Sequence, residues 1–70
     1  MGRYDWFPIP SSDVWFLMDR GNYTGCAVIF DRKHGVYRLI YNSKAVKEFD
    51  DLEKAQHYAE VYHMMGLLPE

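Results

Sequence analysis

The feature that most constrains this chain is a change of hydrophobic period at Asp50. Before it, short aromatic and β-branched runs alternate with turn residues. After it, Leu52, Ala55, Ala59 and Tyr62 recur at spacings of three, four and three, one stripe of a helix, with Tyr58 and Met65 on its flank. Strands followed by a single helix predict a small α+β domain: an antiparallel sheet of three to four strands with one C-terminal helix packed on one face. One helix covers only one face of a sheet, so what happens at the other face becomes the central question.

Seventy residues leave room for one core and no second domain. The expected division is an extended N-terminal arm over 1–12, the sheet over 13–49, the helix over 50–66 and a short apolar tail over 67–70. In Trp6-Phe7-Pro8-Ile9-Pro10 each proline fixes φ and removes a donor, which forbids helix and predicts an arm laid on the domain by Trp6, Phe7 and Ile9. Val14 to Met18 reads as a strand, Arg20 to Gly25 as a turn, and Cys26 to Asp31 and Val36 to Tyr41 as a hairpin around Arg32-Lys33-His34-Gly35. Ala45 to Phe49 supplies a short fourth strand. Asp50 or Asp51 serves as N-cap, with Glu53 placed three residues after Asp50 as a capping box requires, and Gly66 ends the helix.

The hairpin loop admits two registers. A three-residue loop pairs Arg32 with Val36, and a four-residue loop pairs Asp31 with Val36. In the first, one face holds Ala27, Ile29, Tyr37, Leu39 and Tyr41 and the other Val28, Phe30, Val36, Arg38 and Ile40. Both faces are apolar, whereas a sheet with one solvated side alternates hydrophobic with polar. The 6–10 arm, a second copy of the chain, or another protein must cover the second face.

Several classes are excluded or disfavoured. The longest apolar run, Val14 to Met18, is five residues, far short of a membrane span. Met1 to Trp6 lacks the features of a signal peptide, and a single cysteine, Cys26, allows no internal disulfide, so the cytoplasm is the expected setting. In an apolar strand Cys26 reads as a structural residue rather than a nucleophile. Glu53, His57 and Glu60 share a helix edge at metal-compatible spacing, but a structural metal site usually wants four ligands, and no metal or other cofactor is expected. His34 reads as an exposed turn residue. No phosphate loop, metalloprotease pattern or nucleophile–base–acid set is present, so an enzyme is not expected.

Charge is distributed unevenly. Residues 32–47 carry Arg32, Lys33, Arg38, Lys44 and Lys47 with no acid, and residues 48–70 carry Glu48, Asp50, Asp51, Glu53, Glu60 and Glu70 against Lys54 alone. The basic segment interleaves Tyr37 and Tyr41 with its cations, a combination that grips phosphates and stacks on bases. The acidic segment exceeds what capping of a helix needs, and its surplus resembles a run of phosphates.

Gly35-Val36-Tyr37-Arg38-Leu39-Ile40-Tyr41, followed by Val46, Phe49-Asp50 and Glu53-Lys54-Ala55, resembles the hairpin-then-helix half of AP2-type and integrase arm-binding DNA domains. The resemblance covers about half the chain and implies a sheet that reads DNA with the helix behind it. The strands here lack the dense Arg and Trp of those domains, and the net charge is −2.

The function expected from these observations is a non-enzymatic protein–protein interaction module. Its partner-binding residues are Asp50, Asp51, Glu53 and Glu60 on the acidic edge, with Trp6, Trp15 and Tyr23 as aromatic anchors beside Phe7 and Phe16. A concrete form is a phage or mobile-element inhibitor, of the anti-CRISPR or anti-restriction type, that blocks the nucleic-acid site of a host nuclease or CRISPR complex. The alternative is a small DNA- or RNA-binding regulator using Arg32, Lys33, Arg38, Lys44, Lys47 and Tyr37. A homodimer closed over the second sheet face accompanies either reading.

Overall fold

The computed structural model describes residues 4–66. Their order is β1 (Tyr4–Pro8), β2 (Val14–Asp19), β3 (Asn22–Asp31), β4 (Val36–Tyr41), β5 (Lys44–Phe49) and α1 (Leu52–Met65). The strands form one five-stranded antiparallel meander in chain order, with the helix on one face. The expected tail over 67–70 lies outside the described residues.

The sheet has five strands where three to four were expected, because the proline-flanked segment is not a loose arm. Tyr4–Pro8 pairs with β2, matching Trp6 with Leu17 and Phe7 with Phe16. A proline is tolerated there because β1 is an edge strand, where a missing N–H costs no ladder bond. Ile9 N donates to Val14 O at 3.0 Å and closes the link to β2. Trp6 therefore points to the helix side and Phe7 to the other, and the 6–10 segment, one of the three candidate covers for the second face, extends the sheet instead.

The turns are tighter than the composition predicted. Arg20 and Gly21 alone connect β2 to β3, both at positive φ (55° and 84°), and Asn42 and Ser43 connect β4 to β5 in the same way (51° and 69°). Two consecutive residues of positive φ match the right-handed twist of the flanking strands. Residues 22–25, expected in the turn, begin β3. An irregularity there leaves Thr24, Gly25 and Cys26 opposite Leu17, and side-chain bonds stand in for part of the ladder: Thr24 Oγ1 donates to Leu17 O (2.9 Å), and Cys26 N donates to Thr24 Oγ1 (3.2 Å).

The β3–β4 hairpin takes the four-residue loop, with Asp31 opposite Val36. Asp31 makes that choice by accepting from Lys33 N (3.0 Å) and His34 N (3.3 Å), while Gly35 N donates to Asp31 O at 2.7 Å. The register places Val28, Phe30, Tyr37, Leu39 and Tyr41 on the helix side, and Ala27, Ile29, Val36, Arg38 and Ile40 on the open side.

The core lies between helix and sheet. Leu17, Cys26, Val28 and Leu39 meet Ala55 and Ala59, all fully buried, and the two alanines allow the helix to approach closely. Trp6, Trp15, Tyr37, Tyr41, Val46, Phe49, Leu52 and Tyr58 close the periphery. The helix crosses the sheet diagonally: Tyr58 packs at a tilt against Phe49 of β5, and His63 meets Tyr4 of β1 edge-on. Its N-cap is Asp51, whose carboxylate accepts from Lys54 N at 3.2 Å, so the capping box that Asp50 and Glu53 suggested does not form. Gly66 ends the helix with φ 71°. Met65, placed on the flank of the buried stripe by its spacing, is 60% exposed.

Candidate docking surface on the open sheet face

The cross-strand registers assemble a row of side chains across the open face. Phe7 of β1, Phe16 of β2, Ala27 of β3, Ile40 of β4 and Ala45 of β5 are successive partners. A second row runs Val14, Ile29, Arg38 and Glu48, and a third runs Asp5, Met18 and Tyr23. Ala27 is only 4% exposed because Phe16 and Ile40 flank it, whereas Phe7 and Tyr23 are 56% and 54% exposed. Tyr23 leans on Phe16 with ring centroids 5.1 Å apart. Among the described residues no element lies over these rows.

The residues expected to form the acidic surface are divided among structural duties. Asp51 caps the helix and Asp50 lies 3.4 Å from Lys54 Nζ. Glu60 stands seven residues beyond Glu53 and accepts from Trp6 Nε1 at 2.6 Å, tying the edge strand to the helix. Glu53 keeps its carboxylate exposed in the first turn. Of the aromatic anchors, Trp6 and Trp15 pack at the helix side of the sheet, and Tyr23 projects from the open face.

The basic surface is divided as well. Arg32 pairs with Asp13, and Arg38 pairs with Glu48 (2.8 Å) and Asp31 (3.2 Å). Both guanidiniums are held above their ordinary range, Arg32 by its bond to Asp13 and Arg38 chiefly by its bond to Glu48. Asp31 is lowered to about 2, first by its hydrogen bond with His34. Lys47 sits over the rings of Phe49 and Tyr58, 5.9 Å from each centroid. Lys33, in the β3–β4 loop, and Lys44, the first residue of β5, make no ion pair among the described residues, and they stand at opposite ends of β4. Tyr37 packs between Trp15 and Phe30 on the helix side, so the rings and the Arg38 guanidinium occupy opposite faces of the sheet.

Sequence spacing did not single out Phe7 and Phe16 as a pair, because their adjacency depends on β1 joining the sheet. The usable signal was the apolar character of both faces of the β3–β4 hairpin.

Little else in the fold offers chemistry. Burial pushes the Cys26 thiol up, away from the thiolate a nucleophile requires. No group of three His, Cys, Asp or Glu side chains suited to a metal occurs among the described residues. A polar hollow of about 300 Å³ lies where the β2–β3 turn meets the end of the helix, lined by Asp19, Arg20, Asn22, Tyr23, Thr24 and His63. Its hydroxyls belong to Tyr23, whose ring leans at a tilt on Phe16, and Thr24, committed to Leu17 O. No described helix is long and apolar enough to cross a membrane. Compared with protein-family models, curated proteins and solved structures, the chain matches none.

Proposed function

We propose that the chain is a non-enzymatic protein-docking module whose working surface is the open face of its sheet. The observation that carries this reading is the exposure of Phe7 and Tyr23 beside Phe16, Met18, Ile29 and Ile40 on a face with no covering element among the described residues. Contiguous apolar surface of this kind marks an interaction site more often than a solvated face, and binding energy concentrates in aromatic side chains that can be fully desolvated. The two charge-based surfaces are weaker candidates. Phosphate imitation needs uncommitted carboxylates, and of the four expected acids only Glu53 has no partner among the described residues. Inhibition of a nucleic-acid-handling complex through the acidic edge therefore rests on that one residue. Nucleic-acid binding needs cations that converge, and Lys33 and Lys44 stand at opposite ends of a strand.

The test is affinity capture by the tagged full chain in nuclease-treated lysate of its native cell, with a further copy of the chain counted as a partner. Phe7→Lys and Tyr23→Lys should abolish the capture, and Asp50→Lys/Glu53→Lys, which spares the Asp51 cap, should leave it intact. Capture lost with the acid reversals assigns function to the helix edge. A catch that vanishes with nuclease assigns it to the basic turns.

A further inference from the structure

Resting on the docking reading, we infer that the occupant of the open face is a second copy of the same chain, packed sheet on sheet about a two-fold axis parallel to the strands between β2 and β3.

The relief of the face supports this pairing. An isologous interface sets residue i against j and j against i, so a surface closes on itself only where its projections meet its own hollows. Across the apolar row the bulk is asymmetric: Phe7 and Phe16 on β1 and β2, Ala27 and Ala45 on β3 and β5. A two-fold axis between β2 and β3 sets Phe16 over Ala27 of the second copy and Phe7 over its Ile40. The neighbouring rows follow, with Val14 over the second copy's Ile29 and Met18 over its Tyr23. Each of these four pairs occurs twice.

Charge placement agrees with the same arrangement. Arg38 of one copy falls over the other's Ile9, the residue after β1 whose N donates to Val14 O, and Glu48 falls outside β1 altogether, so their ion pair stays at the edge of the apolar rows. Asp5 lies at the outer end of its row. The result is an apolar centre with a polar border, the usual anatomy of a protein interface. The strands' open face carries Asp5, Asp31 and Glu48 against Arg38 alone, an excess of acid that disfavours a phosphate backbone. Area is also sufficient. A stable interface takes about 800 Å² per partner. That is roughly a sixth of the 4770 Å² accessible surface, close to one broad face of a two-layer body.

Sedimentation equilibrium of the full chain from about 5 to 500 µM tests the inference, alongside a photo-crosslinking residue at position 7 in otherwise native sequence. The expected mass is twice 8.3 kDa, with the crosslink landing on β4 near Ile40 of the second copy. Phe7→Lys should raise the dimer dissociation constant at least tenfold while circular dichroism stays native. Met64→Lys, a change at a 61%-exposed helix residue away from the sheet, should leave the constant unmoved. A monomeric mass throughout, or a crosslink that maps to the helix, overturns the inference. If the chain is monomeric yet still captures another protein through Phe7 and Tyr23, the docking reading stands with a different occupant. If it is monomeric and captures nothing through them, both readings fall.

Discussion

Glu60 and Trp6 were expected to face a partner, and the fold instead bonds them to each other, which makes their coupling a sharp test of the architecture. Trp6 lies on the edge strand β1 and Glu60 on the helix, 54 residues apart, with Nε1 donating to Oε2 across 2.6 Å. Trp6→Phe removes the donor and keeps a ring against the core. A hydrogen bond to a charged acceptor contributes about 1.5–3 kcal/mol, and because Glu60 is only half-buried the lower end applies, about 1.5 kcal/mol. A domain of this length holds roughly 3–5 kcal/mol in all, so the loss takes about a third of it and lowers Tm by roughly 6–12 °C. Glu60→Gln keeps an acceptor of the same reach and should cost about 0.5–1 kcal/mol. Urea unfolding of the two single variants and the double variant, followed by far-ultraviolet circular dichroism, should give a coupling energy of about 1 kcal/mol. Effects that add to within about 0.3 kcal/mol would refute the reasoning and leave β1 held by its ladder and by ring packing alone. Because Trp6 faces the helix, Trp6→Phe should leave capture through the open face unchanged.

Three further outcomes follow from the backbone and the turns. Gly25 has φ 93°, and a Cβ there would stand 2.8 Å from Asn42 Oδ1, so Gly25→Ala should destabilise by about 1–2 kcal/mol in a urea melt. Ser43 occupies φ 69° in the β4–β5 turn, and Ser43→Gly should raise stability by about 0.5–1 kcal/mol, seen as a higher Tm. The carboxyl of Asp31 is lowered from 3.8 to about 2 in the fold. Its contribution is therefore complete above about pH 4 and lost as pH falls through about 2, and Asp31→Asn should flatten the acid limb of a stability–pH profile over that interval.

Local chemistry was legible in the chain itself. The change of period at Asp50, the glycine after Met65, the loop Arg32 to Gly35 and the strands around Val14, Cys26 and Val36 announce themselves through propensity and turn residues that act over a few positions. The apolar character of both faces of the β3–β4 hairpin was also readable, and with it the existence of a sheet side in need of cover. Three things were decided only in the folded structure, the first by a local turn and the other two by tertiary contact. The Asp31 carboxylate selected one of two hairpin registers, and since side chains alternate, that choice sent Arg38 and Tyr37 to the sides they occupy. Tyr4–Pro8 became an edge strand because β2 offered an unpaired edge, a fact about a neighbour rather than about its prolines. Charges that looked like two working surfaces were partnered across strands and helix, Arg38 with Glu48, Arg32 with Asp13, and Glu60 with the Trp6 indole. Such pairings depend on which residues the sheet brings within a few ångströms, and spacing along the chain carries no record of that distance.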